Sequence, residues 1–357
     1  MRSLLRSVVG SAPGLEVAAT AADGQSALAS IETLHPDLVL LDVEMPVMDG
    51  LVTLRKLRAR GHRMPVIMCS SLTQRGGRVT IEALASGASD YVAKPAGQAS
   101  REAAMQSLAK ELIPKILALT SQLRITPAGR VRQTALLAPA PAIAKAQPPS
   151  WIPTVVAIGV STGGPAALDQ ILPALPGNFP LPVLVVQHMP ELFTALLAER
   201  LNGRCQLRVH EATDGGEVRP GNILIARGNW HMELHAAART GYRSRCVSTR
   251  QLLKIIVDRQ LTCCSARQQR PMAQAWWLWC SPEWGPDGLI GCRLLRGVGA
   301  GVVVQDEPTS AVWGMPGAVA SAGLAQKILP LNAIIPEILR LSSRYPSEAR
   351  ELRESVV

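Results

Sequence analysis

The sequence lacks several features that would assign its 357 residues to a membrane, secreted or metal-binding class. It has no run of about 18 apolar residues, so we expect no membrane-spanning helix. Its seven cysteines include no C-x-x-C pair, which disfavours a zinc or dithiol site and fits a reducing compartment. The apolar part of the opening MRSLLRSVVG is too short for a signal peptide. We therefore expect a cytoplasmic protein.

The sequence also shows no helix-turn-helix or other DNA-reading motif, and no repeat with a period of about 20 to 50 residues. Its net charge of +10 is typical of chains that contact nucleic acid or acidic surfaces. Many of the arginines, however, lie in a Pro- and Ala-rich stretch over 126–153 or in an unusual segment over 243–285. We therefore expect no nucleic-acid partner, and a DNA-binding regulator is the least favoured function.

Length and pattern indicate two α/β domains, because 357 residues can bury two separate cores. Alternating β and α patterns over 30–95 predict a parallel sheet. Residues 97–123 read as a helix with basic and apolar faces. The stretch Thr126–Pro153 has the composition of a semi-extended linker.

The most informative stretch is AIGVSTGGP, in which an apolar run leads into a glycine-flanked turn. Gly159, Ser161 and Gly163 fit the G-x-S-x-G pattern of a nucleophile elbow, where a sharp strand-to-helix turn exposes a serine hydroxyl. A following helix supplies backbone N–H groups where an oxyanion forms. A glycine-rich phosphate loop or an ordinary turn is the alternative, although no Gly-Lys-Ser/Thr follows.

Two downstream residues can serve such a serine. His188 ends the buried-strand run Leu181–Pro190, and Asp287 lies in the turn GPDG. With Ser161 they supply a nucleophile, a base and an orienting carboxylate. Taken singly, a core histidine and a helix-capping aspartate are the alternatives. The chain order Ser, His, Asp excludes the α/β-hydrolase order of Ser, Asp, His.

Five segments resemble the chemotaxis response regulator protein-glutamate methylesterases and follow that family's order. They are GVSTGGPAAL, VVQHMPELFTALLAERLN, DGGEVRPGNILIARGNWHMEL, GPDGLIGCRLL and QDEPTSAVWGMPGAVASAGLA. The resemblance implies an esterase that hydrolyses glutamate methyl esters on chemoreceptors, deamidates receptor glutamines, and needs no cofactor for catalysis. It implies Ser161 as nucleophile, His188 as general base and Asp287 as the residue that orients the histidine. Thr162 and His231 match positions near the site, without an assigned role.

The N-terminal part resembles a response-regulator receiver through HPDLVLLDVEMPVMDG, PVIMCSS and DYVAKP. By resemblance, Asp42 accepts a phosphoryl group from a histidine kinase. Ser70 matches the switch hydroxyl, Tyr91 the switch aromatic and Lys94 the lysine that contacts the phosphate. A loop aspartate and a solvated surface lysine are the alternatives for Asp42 and Lys94.

The implied fold is α/β: a receiver-like (flavodoxin-like) parallel-sheet domain lacking its first strand, linked to a doubly wound α/β methylesterase domain. The boundaries are 1–97 for the truncated receiver, 98–150 for the linker, 151–345 for the catalytic domain and 346–357 for a tail. The implied partners are methyl-accepting chemotaxis receptors and the chemotaxis histidine kinase, and the protein would be peripheral to the membrane through its receptors.

The start of the sequence departs from the receiver pattern. A receiver opens with an apolar strand whose paired acidic residues bind Mg²⁺, whereas MRSLLRSVV resembles the middle of the first helix. We expect either a start site assigned too late or an impaired receiver.

The segment from Arg243 to Gly285 is the second departure, since it holds four of the seven tryptophans and four of the seven cysteines. The run WWLWCSPEWG can be translated back into codons and read in the frame that begins two bases later. That frame permits Val-Ala-Val-Val-Leu-Thr-Gly-Met-Gly, which resembles the strand and turn that this family carries before its aspartate. VDRQLTCCSA permits a family-like run in the same frame. We predict a compensated frameshift, with a divergent segment as the alternative. As written, the segment should not form the helix and strand that precede Asp287, so a catalytically impaired, non-enzymatic regulator stays an open alternative.

Overall fold

The computed structural model describes residues 1–98, 100–121, 155–236, 242–248, 255–257, 275–280, 287–297 and 300–343. They form a three-stranded sheet in the N-terminal domain, and a seven-stranded and a four-stranded sheet in the C-terminal domain. None of the described helices is long and apolar enough to cross a membrane.

The N-terminal sheet is parallel, with the strands in the order β1-β2-β3. Its register pairs Asp42 with Cys69 and Ser70 with Ala93, so the strands end at one common edge. α1 begins at Arg2, and no strand precedes it in the described residues. The predicted receiver-like parallel sheet is therefore confirmed. The elements are α1 (Arg2–Gly10), α2 (Gly24–Leu34), β1 (Val39–Asp42), α3 (Gly50–Ala59), β2 (Val66–Ser70), α4 (Gln74–Ala85), β3 (Asp90–Ala93) and α5 (Arg101–Thr120).

Side-chain caps explain where four of these helices begin. Asp23, Asp49, Thr73 and Ser100 each stand at the N-cap and accept hydrogen bonds from backbone N–H groups of the first turn. α5 covers most of the helix predicted over 97–123, and its apolar residues pack with those of α1 in one buried cluster.

The large C-terminal sheet is parallel, in the order β14-β13-β12-β4-β5-β8-β6. β4 is buried along its whole length and lies where the strand order reverses, the position at which open α/β sheets form a crevice. The elements are β4 (Val155–Val160), α6 (Gly164–Ile171), β5 (Val183–Gln187), α7 (Glu191–Asn202), β6 (Arg208–Glu211), β8 (Asn222–Ile225), β12 (Ala275–Cys280), α8 (Asp287–Gly297), β13 (Val302–Gln305), α9 (Met315–Ser321), β14 (Lys327–Leu329) and α10 (Leu331–Ser342).

A smaller sheet in the order β11-β9-β10-β7 covers one face of the large one. Met232 and Leu234 of β9 share a buried cluster with Leu184 of β5 and Leu224 of β8. Its strands are β7 (Glu217–Val218), β9 (Trp230–Ala236), β10 (Tyr242–Ser248) and β11 (Ile255–Val257).

The tryptophan-rich segment corrects one prediction. We expected no strand ahead of Asp287, yet β12 pairs in parallel with β4 on one side and with β13 on the other. Aromatic residues favour strands, and AWWLWC carries no charge that would oppose insertion between two buried strands. The expected loss of the strand is therefore wrong. Pro282 and most of the stretch expected to hold the helix lie outside the described residues, and the frameshift stays a prediction.

One of the buried hydrophobic clusters is a core that the two domains share. A single buried cluster contains Leu84 and Tyr91 of the N-terminal domain together with Phe193 and Leu196 of α7. Gly77 of α4 faces the same helix, and a Cβ at Gly77 would lie 2.6 Å from Leu196 Cδ1. The absence of a side chain at Gly77 thus allows α4 and α7 to approach closely.

Candidate active site and its contact with the N-terminal domain

Ser161 directly follows the central strand β4, at the start of a tight turn into α6. Gly163 is the N-cap of that helix and has a left-handed φ of 77°. A Cβ at Gly163 would also lie 2.6 Å from the Ala311 Cβ. The left-handed backbone conformation and the lack of room for a side chain therefore both favour glycine at this position. Ser161 and Thr162 are both buried, at 6% and 4% exposure. The expected strand-to-helix elbow is present, but the serine is covered.

His188 lies beside Ser161 because of the strand register. Val160 is paired with Gln187, so the residues that follow them emerge from neighbouring strand ends. The His188 N–H donates to the Val160 carbonyl at 3.2 Å. Burial lowers the pKa of His188 from its ordinary value, which favours the neutral imidazole that a general base requires. Its Nδ1 is buried and has no hydrogen-bond partner among the described residues.

Asp287 is the first residue of α8. Cys280, the last residue of β12, is paired with Val160, so β12 ends next to the strand that carries Ser161. The side chain of Asp287 lies outside the described part of the chain. The structure thus brings Ser161 and His188 together, whereas the contact between Asp287 and His188 stays a prediction.

Thr162 connects the turn after Ser161 to the N-terminal domain. Its Oγ1 donates to Asp90 Oδ2 at 2.5 Å, and both residues are buried. Lys115 Nζ donates to Asp90 Oδ1 at 3.3 Å and to the Tyr91 carbonyl at 2.7 Å. Sequence reading missed this network, because DYVAKP gave Asp90 no partner in the other domain.

Comparisons with known proteins decide the family. The family model "CheB methylesterase" matches residues 156–338, and the model "Response regulator receiver domain" matches residues 1–106.

The chain belongs to the CheB methylesterase family.

A protein of Trichodesmium erythraeum named "Protein-glutamate methylesterase/protein-glutamine glutaminase" is 41% identical over 346 residues, which is 95% of each chain. A Nocardioides protein of the same name is 41% identical over 350 residues, which is 97% of this chain and 94% of that one. The crystal structure of the Thermotoga maritima CheB methylesterase catalytic domain has 32% identity and a TM-score of 0.43. The match covers 54% of this chain and 100% of the Thermotoga chain.

The predicted phosphoacceptor lies at the end of β1 in the receiver domain. Asp42 Oδ1 is 2.7 Å from Lys94 Nζ and accepts a hydrogen bond from the Glu44 N–H at 3.0 Å. A Cβ at Gly50 would lie 2.1 Å from the Asp42 carbonyl oxygen, so a glycine there allows α3 to begin against β1. Lys94, the predicted phosphate-contacting lysine, therefore lies beside the predicted phosphoacceptor, and both roles stay predictions.

The two predicted switch positions are both buried. Ser70 is fully buried, and its hydroxyl lies 3.2 Å from the carbonyl oxygens of Gly76 and Ser71. Tyr91 is buried against Phe193 of α7. His231, the remaining family-like position, is buried in β9.

The receiver carboxylates do not form an evident Mg²⁺ site. Glu44 lies near Asp42, but its carboxylate is 3.8 Å from Lys94 Nζ. No group of three His, Cys, Asp or Glu side chains in the described residues could hold a metal ion.

Proposed function

We propose that this chain is a phosphorylation-regulated protein-glutamate methylesterase and protein-glutamine glutaminase. It removes methyl groups from glutamate methyl esters of methyl-accepting chemotaxis receptors and deamidates receptor glutamines to glutamate. The observation that carries the proposal is the placement of Ser161 beside His188 at the ends of two register-paired central strands. Relatives at 41% identity carry the names of both activities.

The reaction follows the logic of a serine hydrolase. His188 takes the hydroxyl proton of Ser161 as its oxygen attacks the ester carbonyl, and backbone N–H groups at the start of α6 stabilise the oxyanion. The imidazolium gives that proton to the leaving methoxide, and methanol departs. Water, activated by His188, then hydrolyses the acyl-enzyme to glutamate and free serine. Asp287 orients His188, and with a glutamine substrate ammonia leaves instead. No cofactor takes part.

Regulation would come from the receiver. Asp42 accepts a phosphoryl group from the chemotaxis histidine kinase, and until then the receiver covers the active site. The hydrogen bond from Thr162 to Asp90 and the burial of Ser161 support this state. We expect Asp42 to be phosphorylated slowly in the chain as written, because Mg²⁺ must neutralise the incoming charge and its acidic pair is absent. The protein would be cytoplasmic, reach the membrane through its receptors, and bind no nucleic acid.

The test is methanol release from receptor membranes carrying labelled methyl esters. Ser161→Ala should lower the rate by at least about three powers of ten while the circular dichroism spectrum is unchanged. Ser342→Ala, at a buried serine of α10, is the matched control and should keep the rate. Full activity of Ser161→Ala would refute the nucleophile assignment.

The second candidate is a non-enzymatic regulator that binds receptors or kinase. The unusual composition of 243–285 favours it. A purified chain that binds receptor membranes but releases no methanol, with or without a phosphodonor, would establish this alternative.

A further inference from the structure

Gln187 is a buried polar residue at the end of an otherwise apolar strand. It is the last residue of β5, immediately precedes His188, and is 2% exposed. The register places it directly opposite Val160, the residue before Ser161. Burying an amide costs free energy unless hydrogen bonds replace its contacts with water. Its hydrogen bonds therefore indicate what it does.

The Gln187 side chain links the backbones of the proposed nucleophile and the proposed base. Its Nε2 donates to the Ser161 carbonyl at 3.0 Å and to the His188 carbonyl at 3.3 Å. The amide nitrogen carries two hydrogens, so one group can serve both acceptors. The Ser161 carbonyl also accepts from the Gly164 N–H at 2.8 Å. Its two lone pairs are thus used, and the peptide after Ser161 is held from two directions.

Gly164 provides the space for this amide. A Cβ at Gly164 would lie 2.1 Å from Gln187 Oε1 and 2.8 Å from the Val160 Cβ. The elbow pattern explains Gly159 and Gly163 but gives no reason for a third glycine. The position of the Gln187 amide gives that reason.

The hydrogen bonds also fix the orientation of the amide. Exchanging the oxygen and the nitrogen would direct Oε1 at two carbonyl oxygens, which have no hydrogen to donate. In the orientation present, Oε1 is buried and has no hydrogen-bond partner among the described residues. A buried oxygen without a hydrogen-bond partner lowers the stability of the fold. The Gln187 amide is therefore better explained by the two carbonyl groups that its nitrogen positions than by a net gain in stability.

We propose that Gln187 is a positioning residue for the esterase reaction, which holds Ser161 and His188 in register without contacting the substrate. The inference rests on the proposed function of these two residues. It predicts a change in the rate of the chemical step rather than in substrate binding.

The first test compares two amide-to-leucine variants. Gln187→Leu should lower kcat about 10- to 100-fold, because a misplacement of about 1 Å has effects of this size, while KM changes less than about threefold. Asn222→Leu is the matched control, because Asn222 is a buried amide at the start of the neighbouring strand β8, away from the strand ends that precede Ser161 and His188. It should keep kcat within about twofold. Unchanged kcat in Gln187→Leu, or an effect confined to KM, would overturn the proposal.

The second test uses Gln187→Glu across a range of pH. An ionised carboxylate only accepts hydrogen bonds and would repel both carbonyls, whereas the protonated acid donates one. The ratio of variant to wild-type kcat should therefore rise as the pH falls, once each rate is corrected for the His188 pKa measured in the same protein, because a neighbouring carboxylate raises that pKa. A ratio that does not depend on pH would contradict the amide's role as donor.

The third test needs no catalysis. Gly164→Ala should lower the Tm by about 5 °C or more, because its Cβ overlaps the amide. In a Gln187→Ala background part of that loss should disappear, and the rest should remain because the same Cβ would still lie 2.8 Å from the Val160 Cβ. Additive losses would show that the two residues do not meet. A wild-type chain that releases no methanol would refute the proposed function and with it the role of Gln187 in catalysis, whereas non-additive Tm changes would still establish the contact.

Discussion

The ring of Tyr91 stacks on the ring of Phe193, with the centroids 4.6 Å apart and the planes inclined by 26°. Tyr91 is the predicted switch aromatic, and Phe193 belongs to α7, the helix that begins just after His188. Lys115 Nζ also lies 5.0 Å from the centre of the Tyr91 ring. The residue expected to respond to phosphorylation thus contacts the helix next to the proposed base.

Tyr91→Leu should raise methanol release in the absence of a phosphodonor. The stacked pair stabilises the closed arrangement by about 0.5–1.5 kcal/mol beyond its buried area, so its loss should increase the open population about 2- to 10-fold. The rate without phosphorylation measures this directly.

Arg78→Ala is the matched control at the same interface. Arg78 pairs with Glu199 at 2.9 Å across the two domains, but both side chains are more than half exposed. Such pairs contribute little, so the unphosphorylated rate should change less than about twofold. A larger rise in Arg78→Ala than in Tyr91→Leu would show that charge, and not the buried aromatic contact, holds the domains together.

The pH dependence of kcat/KM should report the buried imidazole of His188. Burial disfavours the charged form and lowers its pKa, so the neutral base persists below the ordinary value of about 6.5. Activity should therefore be retained at that pH and fall only as the pH drops through the lowered pKa. An acidic limb centred above 6.5 would mean that a carboxylate at Nδ1, as expected of Asp287, outweighs burial.

Val47→Asn should stabilise the receiver by about 1 kcal/mol, because Val47 has a left-handed φ of 62° that a β-branched residue adopts at a cost of this size. The side chain is 85% exposed, so its removal loses little packing. Urea unfolding measures the gain. Val52→Asn, at an exposed valine within α3, should stay within about 0.5 kcal/mol of the wild type. Equal effects at both positions would contradict the strain argument.

The gene should encode Val-Ala-x-Val-Leu-Thr-Gly-Met-Gly in the alternative frame ahead of Asp287. Restoring that frame should raise esterase activity above that of the chain as written, because a run of β-branched residues fits a buried parallel strand without the bulk of three tryptophans. DNA without such a run would refute the frameshift. Equal activity of the two chains would show that β12 as written supports the site.

The sequence was most informative where apolar runs end in polar residues. The ends of β1 and β5 were predicted to carry Asp42 and His188, since parallel strands place such residues at one edge. The sequence analysis did not predict β12, because its aromatic residues differ from the Val-rich strand expected of the family. Aromatic residues nevertheless favour strands, and β12 pairs with β4 and β13.

The contact from Thr162 to Asp90 could not be predicted, because it depends on how two domains dock and no periodic pattern specifies docking. Gln187 was visible as a polar residue that ends a buried run. Only the structure shows that its partners are the carbonyls of Ser161 and His188.

The shared core of the two domains makes the resting state sensitive to temperature. Separating α4 from α7 would expose apolar side chains such as Leu196, and exposure of this kind raises the heat capacity. Apolar association weakens on cooling. The restraint that we propose for Ser161 should therefore weaken on cooling, and the esterase rate of the unphosphorylated chain should then approach that of the phosphorylated chain.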